Sequence, residues 1–383
     1  MYTKNSFTTI VMAKPSSSAT TLQINDLSKQ IEKPLRKLTY NELEAFKNDG
    51  VACLKQVLPA KWVNELSIAV NALAKKRGGG GDKLTASAAF SWLGNDDYAK
   101  IVYNCPTAHI GQEILNHISD KNEGENKPVN FFYDQTFVKF PGKKEAILNA
   151  SNVSTQIPEG TLKYEGNTPL HQDITFWPVK GKEIVSLWIP LDPIGIDNGA
   201  LEFVPGSQKT KKLYKAYGVE GIEFPSGSLE DLPNLKLVTH GYKLEDATDG
   251  IYFDVVPGDI IAFDTTILHG APANFNPTAP RRAIALRYCG KDVILDNLKY
   301  GFDTVFSPFD VFDTEKTNGS RTTGFVYPQV LPNKNMIEIK KRVDSYIKAD
   351  PTLMQKWATR MNKINEKIKA NMNMFVKNES AKL

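Results

Sequence analysis

Residues 257–270 read PGDIIAFDTTILHG, and this stretch decides the fold. Pro257-Gly258 is a turn signal, and Ile260–Phe263 is a short apolar run too brief for a helix. A run of that kind between breakers reads as a buried strand. The same texture recurs at Phe131–Phe140, Ile184–Leu191, Leu201–Val204, Ile251–Val256, Asp259–Asp264 and Arg282–Tyr288. Pro141-Gly142, Asp197-Asn198-Gly199 and Pro205-Gly206 separate these runs. Many short strands without intervening helices predict a mainly β protein, a sandwich, jelly roll or barrel.

Working outward, residues 38–125 read as a helical N-terminal part. Thr39-Tyr-Asn-Glu42 has capping-box spacing, and Gly50 ends the helix that follows. Val51–Leu54 reads as a short strand. Pro59 opens a second helix to about Lys76, with Trp62, Leu66, Val70 and Leu73 on one face. The β-rich core spans about 130–295, inside a domain of 38–330. Residues 1–37, rich in Ser, Thr and Lys, read as a disordered arm; their acid-free first 25 residues leave an organelle-targeting peptide open. Four glycines, Gly78–Gly81, lack the spacing of a phosphate loop and read as a flexible loop. Lys209–Asp249 reads as a long excursion between core strands. Residues 331–383 read as a basic amphipathic helical extension, with Trp357, Met361, Ile364 and Ile368 in one stripe.

Composition narrows the function. The chain has 383 residues, 41% hydrophobic and 23% charged, an ordinary globular mixture. Its net charge of +4 is too small to argue for nucleic acid. Residues 334–383 carry 12 basic against 5 acidic side chains, net +7, so the other 333 residues sum to −3. No apolar run approaches the ~20 residues of a membrane span. Cys53, Cys105 and Cys289 are widely spaced, which fits free thiols in a reducing, cytoplasmic setting. A monomer or homodimer acting on a small molecule is the expectation.

The chemistry lies in His171-Gln172-Asp173. On an extended chain residues i and i+2 share a face, so the imidazole and the carboxylate project together and Gln172 points away. A second histidine would complete a 2-His-1-carboxylate face, which leaves three positions open on an octahedral ion and suits non-haem Fe(II). His269, next to Gly270 after a strong strand, is the best candidate. A chelating cosubstrate such as 2-oxoglutarate would need a cation for its far carboxylate. Arg281 and Arg282 both begin a strand, and alternation allows only one of them to point inward. His109, His117 and His240 read as capping or surface histidines.

The segments His171–Val179, Ser186–Pro193, Asn198–Ser207, Pro257–Asp259, His269-Gly270, Arg281–Ile284 and, upstream, Phe131–Gly142 together resemble the phytanoyl-CoA dioxygenase family across roughly Leu38–Lys291. The resemblance implies a double-stranded β-helix, or cupin-like jelly roll, with flanking helices. It implies Fe(II) held by His171, Asp173 and His269, and 2-oxoglutarate held by Arg281, with Lys139 and Trp188 lining the cosubstrate pocket. It also implies O2 as the oxidant and ascorbate as a supporting reductant. Two departures stand out: the loop from His269 to Arg281 is one residue longer than usual, and Ala271 stands where relatives often carry serine. Halogenating relatives lack the carboxylate ligand, so Asp173 argues against chlorination. Phe131, Tyr133, Phe176 and Trp177 are the candidate substrate contacts, for a substrate that is a small, carboxylated metabolite. The competing classes are a non-catalytic jelly-roll binding protein and a cupin-type metal hydrolase or isomerase.

Overall fold

A computed structural model describes residues 31–76, 85–119, 127–141, 166–177, 179–215, 229–232, 250–296, 319, 327–332, 336–353, 355, 356 and 359. The glycine run, most of the 209–249 excursion, the 357–368 stripe and His240 lie outside them.

Thirteen strands are present among these residues: β1 (Val51–Leu54), β2 (Thr85–Ala89), β3 (Val129–Lys139), β4 (Thr168–His171), β5 (Val179–Lys180), β6 (Ile184–Pro190), β7 (Glu202–Phe203), β8 (Ile251–Tyr252), β9 (Ile260–Asp264), β10 (His269–Ala271), β11 (Arg281–Cys289), β12 (Ile294–Leu295) and β13 (Gln329–Leu331). The helices are α1 (Tyr40–Asp49), α2 (Ala60–Lys76), α3 (Asp96–Asn104), α4 (Thr107–Ile118) and α5 (Met336–Ala349). The expected strand runs are all present, with the runs at 201–204 and 251–256 reduced to two residues each.

Seven strands form a large antiparallel sheet in the order β1-β9-β6-β11-β3-β13, with β2 also paired to β3. A smaller sheet runs β4-β10-β7-β8. Alternation along the large sheet sends side chains to two different cores. Trp188, Ile261, Phe263, Ala283 and Ala285 face inward, where Phe203 and Ala271 of the small sheet meet them. Leu187, Ile189, Ile260, Ala262, Ile284 and Leu286 face outward into the core shared with Trp62, Leu66, Val70, Ile110 and Ile114 of the helices. Burial on both faces is why these strands read as continuous apolar runs.

Local chemistry sets the helix ends. Thr39 and Glu42 close the expected capping box, and Gly50 ends α1 with φ +79°. Such a cap contributes about 1 kcal/mol. At Gly111 of α4 an added Cβ would lie 3.1 Å from the Tyr288 ring, so helix and sheet touch closely there.

Two expectations need correction. Besides the expected strand at Val51–Leu54, the segment 38–125 contributes β2 to the large sheet. Thr-Ala-Ser-Ala-Ala carries no strand signal of its own, and its pairing with β3 places it. Order begins before residue 38. Ile31 is buried, Glu32 N–H donates to Asn104 O, and Glu32 accepts from Trp62 Nε1. The three cysteines are free, as expected. His109 lies inside α4, and His117 Nε2 meets Glu44 at 2.8 Å. No described helix is long and apolar enough to cross a membrane.

Asp134, buried on β3, accepts from the N–H groups of Ser91 and Trp92 and so holds the turn after β2. Burial pushes its carboxyl up to about 6, against the pull of those bonds. The unfolded value is about 3.9. The folded chain therefore binds this proton more tightly, and the stability tied to Asp134 falls as pH rises from about 4 to 6, then levels. Relative to the wild type, Asp134→Asn should gain in Tm over that window and stay parallel above it. Thermal unfolding of both proteins across pH 4–8 checks this, and a difference that does not change with pH rules it out.

Candidate active site

His171 and His269 meet because β4 and β10 run antiparallel with these two residues directly opposed. Opposed residues share a face. Their rings lie 4.3 Å apart between centroids. β4 ends at His171, and Asp173 opens a short 3-10 turn, 173–176. Gln172 between them is extended (φ −117°, ψ 127°), so the same-face expectation for 171 and 173 holds. Gln172 points away, as expected: its amide donates to Lys212 O and Thr266 O and accepts from Tyr214 N–H.

Asp173 Oδ1 is 3.6 Å from His171 Nε2 and 3.8 Å from His269 Nε2. One ligand atom from each of the three residues lies within 4.8 Å of the others, a spacing one metal ion could bridge. The imidazoles are set for that role. His171 Nδ1 donates to Pro169 O at 2.7 Å and His269 Nδ1 to Ile267 O at 3.1 Å, so each Nε2 keeps its lone pair for the ion. Burial, then the neighbouring His171, pushes His269 down to about 3, which keeps its ring neutral. Burial alone would raise Asp173. The charge of Arg287 and the bond to His171 outweigh it and hold the carboxyl far below the usual range.

A second cluster is built from β11, β3 and β6. Arg281 is 2% exposed and stands on the Trp188 ring, 5.4 Å from its centroid. Lys139, its cross-strand neighbour on β3, is also buried, and its Nζ donates to Ala271 O and Pro272 O. Arg281 Nη2 donates to Gly199 O at 2.8 Å, and its Nε has no partner. Among the described residues no carboxylate reaches salt-bridge distance of either cation. Burial, then the charge of Arg281, holds Lys139 well below its usual range; burial brings Arg281 down to about 10, with Asp192 pulling the other way. Two adjacent buried basic side chains that face carbonyls and an aromatic ring are a place where an anion could bind. Arg282 faces outward, paired with Asp192 and donating to Asn71. The strand's alternation is thus resolved with Arg281 inside.

The four aromatic candidates part company. Phe176 packs on His171 with centroids 5.4 Å apart. Tyr133 and Trp177 flank the Arg287 guanidinium behind Asp173, at 4.5 and 5.1 Å. Phe131 is not brought to the site. A bulge in the β3–β11 register between Arg287 and Tyr288 turns it to the helix side, against Trp92 and Tyr288.

Sequence reasoning missed two residues. Asp173 Oδ2 accepts from Ser186 Oγ at 3.1 Å and from Arg287 Nε and Nη2 at 3.3 and 3.1 Å. Counting by twos from Arg281 through Ala283 and Ala285 would have placed Arg287 on the inner face.

The two-sheet architecture is one that solved non-haem, α-ketoglutarate-dependent enzymes share. Solved structures agree on the fold. The chain superposes on the non-haem α-ketoglutarate-dependent carbocyclase SnoK of nogalamycin biosynthesis with a TM-score of 0.50 at 16% identity, covering 76% of this chain and 96% of that one. The epimerase SnoN from the same biosynthesis gives a TM-score of 0.50 at 16% identity, with 76% and 97% covered. The family model for phytanoyl-CoA dioxygenase matches residues 46–283, and the chain belongs to that family. A probable phytanoyl-CoA dioxygenase of Caenorhabditis elegans is 26% identical over 196 residues, 48% of this chain. The chain covers 57% of that relative's length.

The three ligands should act as a unit. Asp173→Ala should weaken binding of a divalent ion by more than about 100-fold, since losing a ligand exceeds the 10–100-fold usual for an outer contact. Calorimetric titration with Co(II) measures this, and unchanged binding would remove Asp173 from the ligand set.

Proposed function

We propose that this chain is an Fe(II)- and 2-oxoglutarate-dependent oxygenase that oxidises a C–H bond of a small metabolite. The observation that carries the reading is the pairing of a three-ligand face with an acid-free arginine–lysine pocket on the same strand system. A hydrolase or isomerase would need the first feature and not the second.

The donor set fits the ion: two neutral imidazoles and one carboxylate on one face suit Fe(II) and leave positions for a chelating oxo acid and O2. The pocket fits a dicarboxylate, with Arg281 and Lys139 gripping the carboxylate remote from the ion and Trp188 forming the wall. The bound iron supplies the oxidation, in which O2 places one oxygen atom in the product and one in succinate while 2-oxoglutarate loses CO2. The protein's part is to hold. His171, His269 and Asp173 Oδ1 fix the ion from one side. Arg281 and Lys139 set the cosubstrate's register along β11. Gly199, with φ +91°, offers its carbonyl to Arg281; an added Cβ there would come 3.3 Å from Lys139 Cδ and 3.5 Å from Arg281 Nε. Phe176, beside the more accessible histidine, would touch the substrate.

Hydroxylation is the favoured outcome, with desaturation and ring closure on the same scaffold as alternatives. The fold does not choose among them: the two related structures are described as a carbocyclase and an epimerase.

The protein with Fe(II), ascorbate and 2-oxoglutarate should release succinate, stimulated by the true substrate in a metabolite screen. Product mass separates a gain of one oxygen from a loss of two hydrogens. Arg281→Ala should raise KM for 2-oxoglutarate by roughly 100-fold, because a buried guanidinium–carboxylate contact is worth about 2–5 kcal/mol. Metal affinity should be unchanged. Absence of succinate under every condition, or an unaltered KM in the variant, would refute the assignment.

A further inference from the structure

Asp173 has two oxygens, and the chain treats them differently. Oδ1 faces the two histidines, whereas Oδ2 accepts from Ser186 Oγ, Arg287 Nε and Arg287 Nη2. Ser186 on β6, Arg287 on β11 and Tyr133 on β3 lie directly opposite one another, a single row across three neighbouring strands of the large sheet. The row faces the small sheet at the level of Asp173. The guanidinium is 2% exposed and packs against the Tyr133 and Trp177 rings, 4.5 and 5.1 Å from their centroids. Asp173 is its one ion-pair partner among the described residues.

From this geometry we infer that Arg287, with Ser186, is a positioning residue that fixes Asp173 as a single-oxygen ligand of the metal. The inference rests on reading His171, Asp173 and His269 as the metal face. The carboxylate torsion of aspartate is soft and two-fold, so an unrestrained Asp173 could offer either oxygen, or both, to the ion. Binding both would consume one of the positions that a chelating cosubstrate and O2 need. The Arg287 fork saturates Oδ2 from two nitrogens, and Ser186 adds a third donor. A lysine at this position could not reproduce that two-nitrogen fork. Among the described residues Nη1 makes no bond, and the arginine's hydrogen bonds go to this one oxygen.

The test uses the full-length chain stripped of metal and titrated with Co(II) alone, without 2-oxoglutarate. Arg287→Gln should weaken Co(II) binding by about 10–100-fold and alter the visible d–d bands, as expected when a ligand's outer partner is removed. Ser186→Ala should shift affinity in the same direction by a smaller factor, and Arg287→Lys should fall between wild type and Arg287→Gln. Wild-type affinity and spectrum in a folded Arg287→Gln protein would overturn the inference. Should Arg287→Gln not fold, Ser186→Ala and Arg287→Lys decide, and wild-type Co(II) behaviour in both overturns it. A wild-type protein that binds no Co(II), or an Asp173→Ala variant that binds it normally, would instead overturn the metal face itself.

Discussion

The site depends on one register: His171 opposite His269 in the antiparallel pair β4–β10. A slip of one residue would turn one imidazole to the opposite face, because side chains alternate along a strand. Several contacts hold that register. Each histidine is braced by a carbonyl two residues back, Pro169 on β4 and Ile267 just before β10. Gly270, beside His269, lets the strands approach: an added Cβ there would lie 2.9 Å from Thr168 O, a backbone atom that cannot step aside. Phe203 stacks on the far side of His269, and Phe263 of the large sheet meets it from below. The ligand geometry is therefore built by backbone pairing before any ion is considered.

β11 then organises the rest. Its inward residues are Arg281, Ala283, Ala285 and Arg287, a cation at each end with two small side chains between. At about 3.4 Å per residue the arginines stand roughly 20 Å apart along the strand. Both alanines are fully buried among Trp188, Phe263 and Phe203, so a larger residue at either place would crowd the space between the sheets. The outward residues Ile284 and Leu286 carry the burial against the helices. A single strand thus separates stability on one face from chemistry on the other.

The sequence disclosed most of this where local chemistry decides. The capping box at Thr39, the turn at Pro257-Gly258 and the apolar strand runs are properties of neighbouring residues, and they read correctly. His171 and Asp173 were legible because only one residue separates them. The rest depended on distant pairing. Thr85–Ala89 is a strand only because β3 accepts it. The displacement of Phe131 from the site comes from a bulge, which shifts the face of a residue without a sequence signal of its own. Ile31 was hidden because a polar, serine-rich stretch precedes it, and its burial needs the helices it packs against. Arg287 was accessible in principle: the alternation used to separate Arg281 from Arg282 carries on for six more residues.

The two inward arginines also show how environment divides one residue type into two roles. Arg287 has a carboxylate at 3.1 Å, so its charge is compensated within the chain. Arg281 has a carbonyl and a ring, and its neighbour is a buried lysine. Burying like charges together is costly, and a chain that only needed stability would have gained from an acid or an apolar residue at either place. The compensated arginine therefore belongs to the structure of the metal face, holding a ligand that stays in place. The uncompensated pair is, on the proposed function, the part of the site kept for an arriving anion. An anion entering between Arg281 and Lys139 relieves both at once, whereas a neutral or cationic guest would leave the strain where it was. Under the proposed function, that imbalance would favour a dicarboxylate over an uncharged oxo compound.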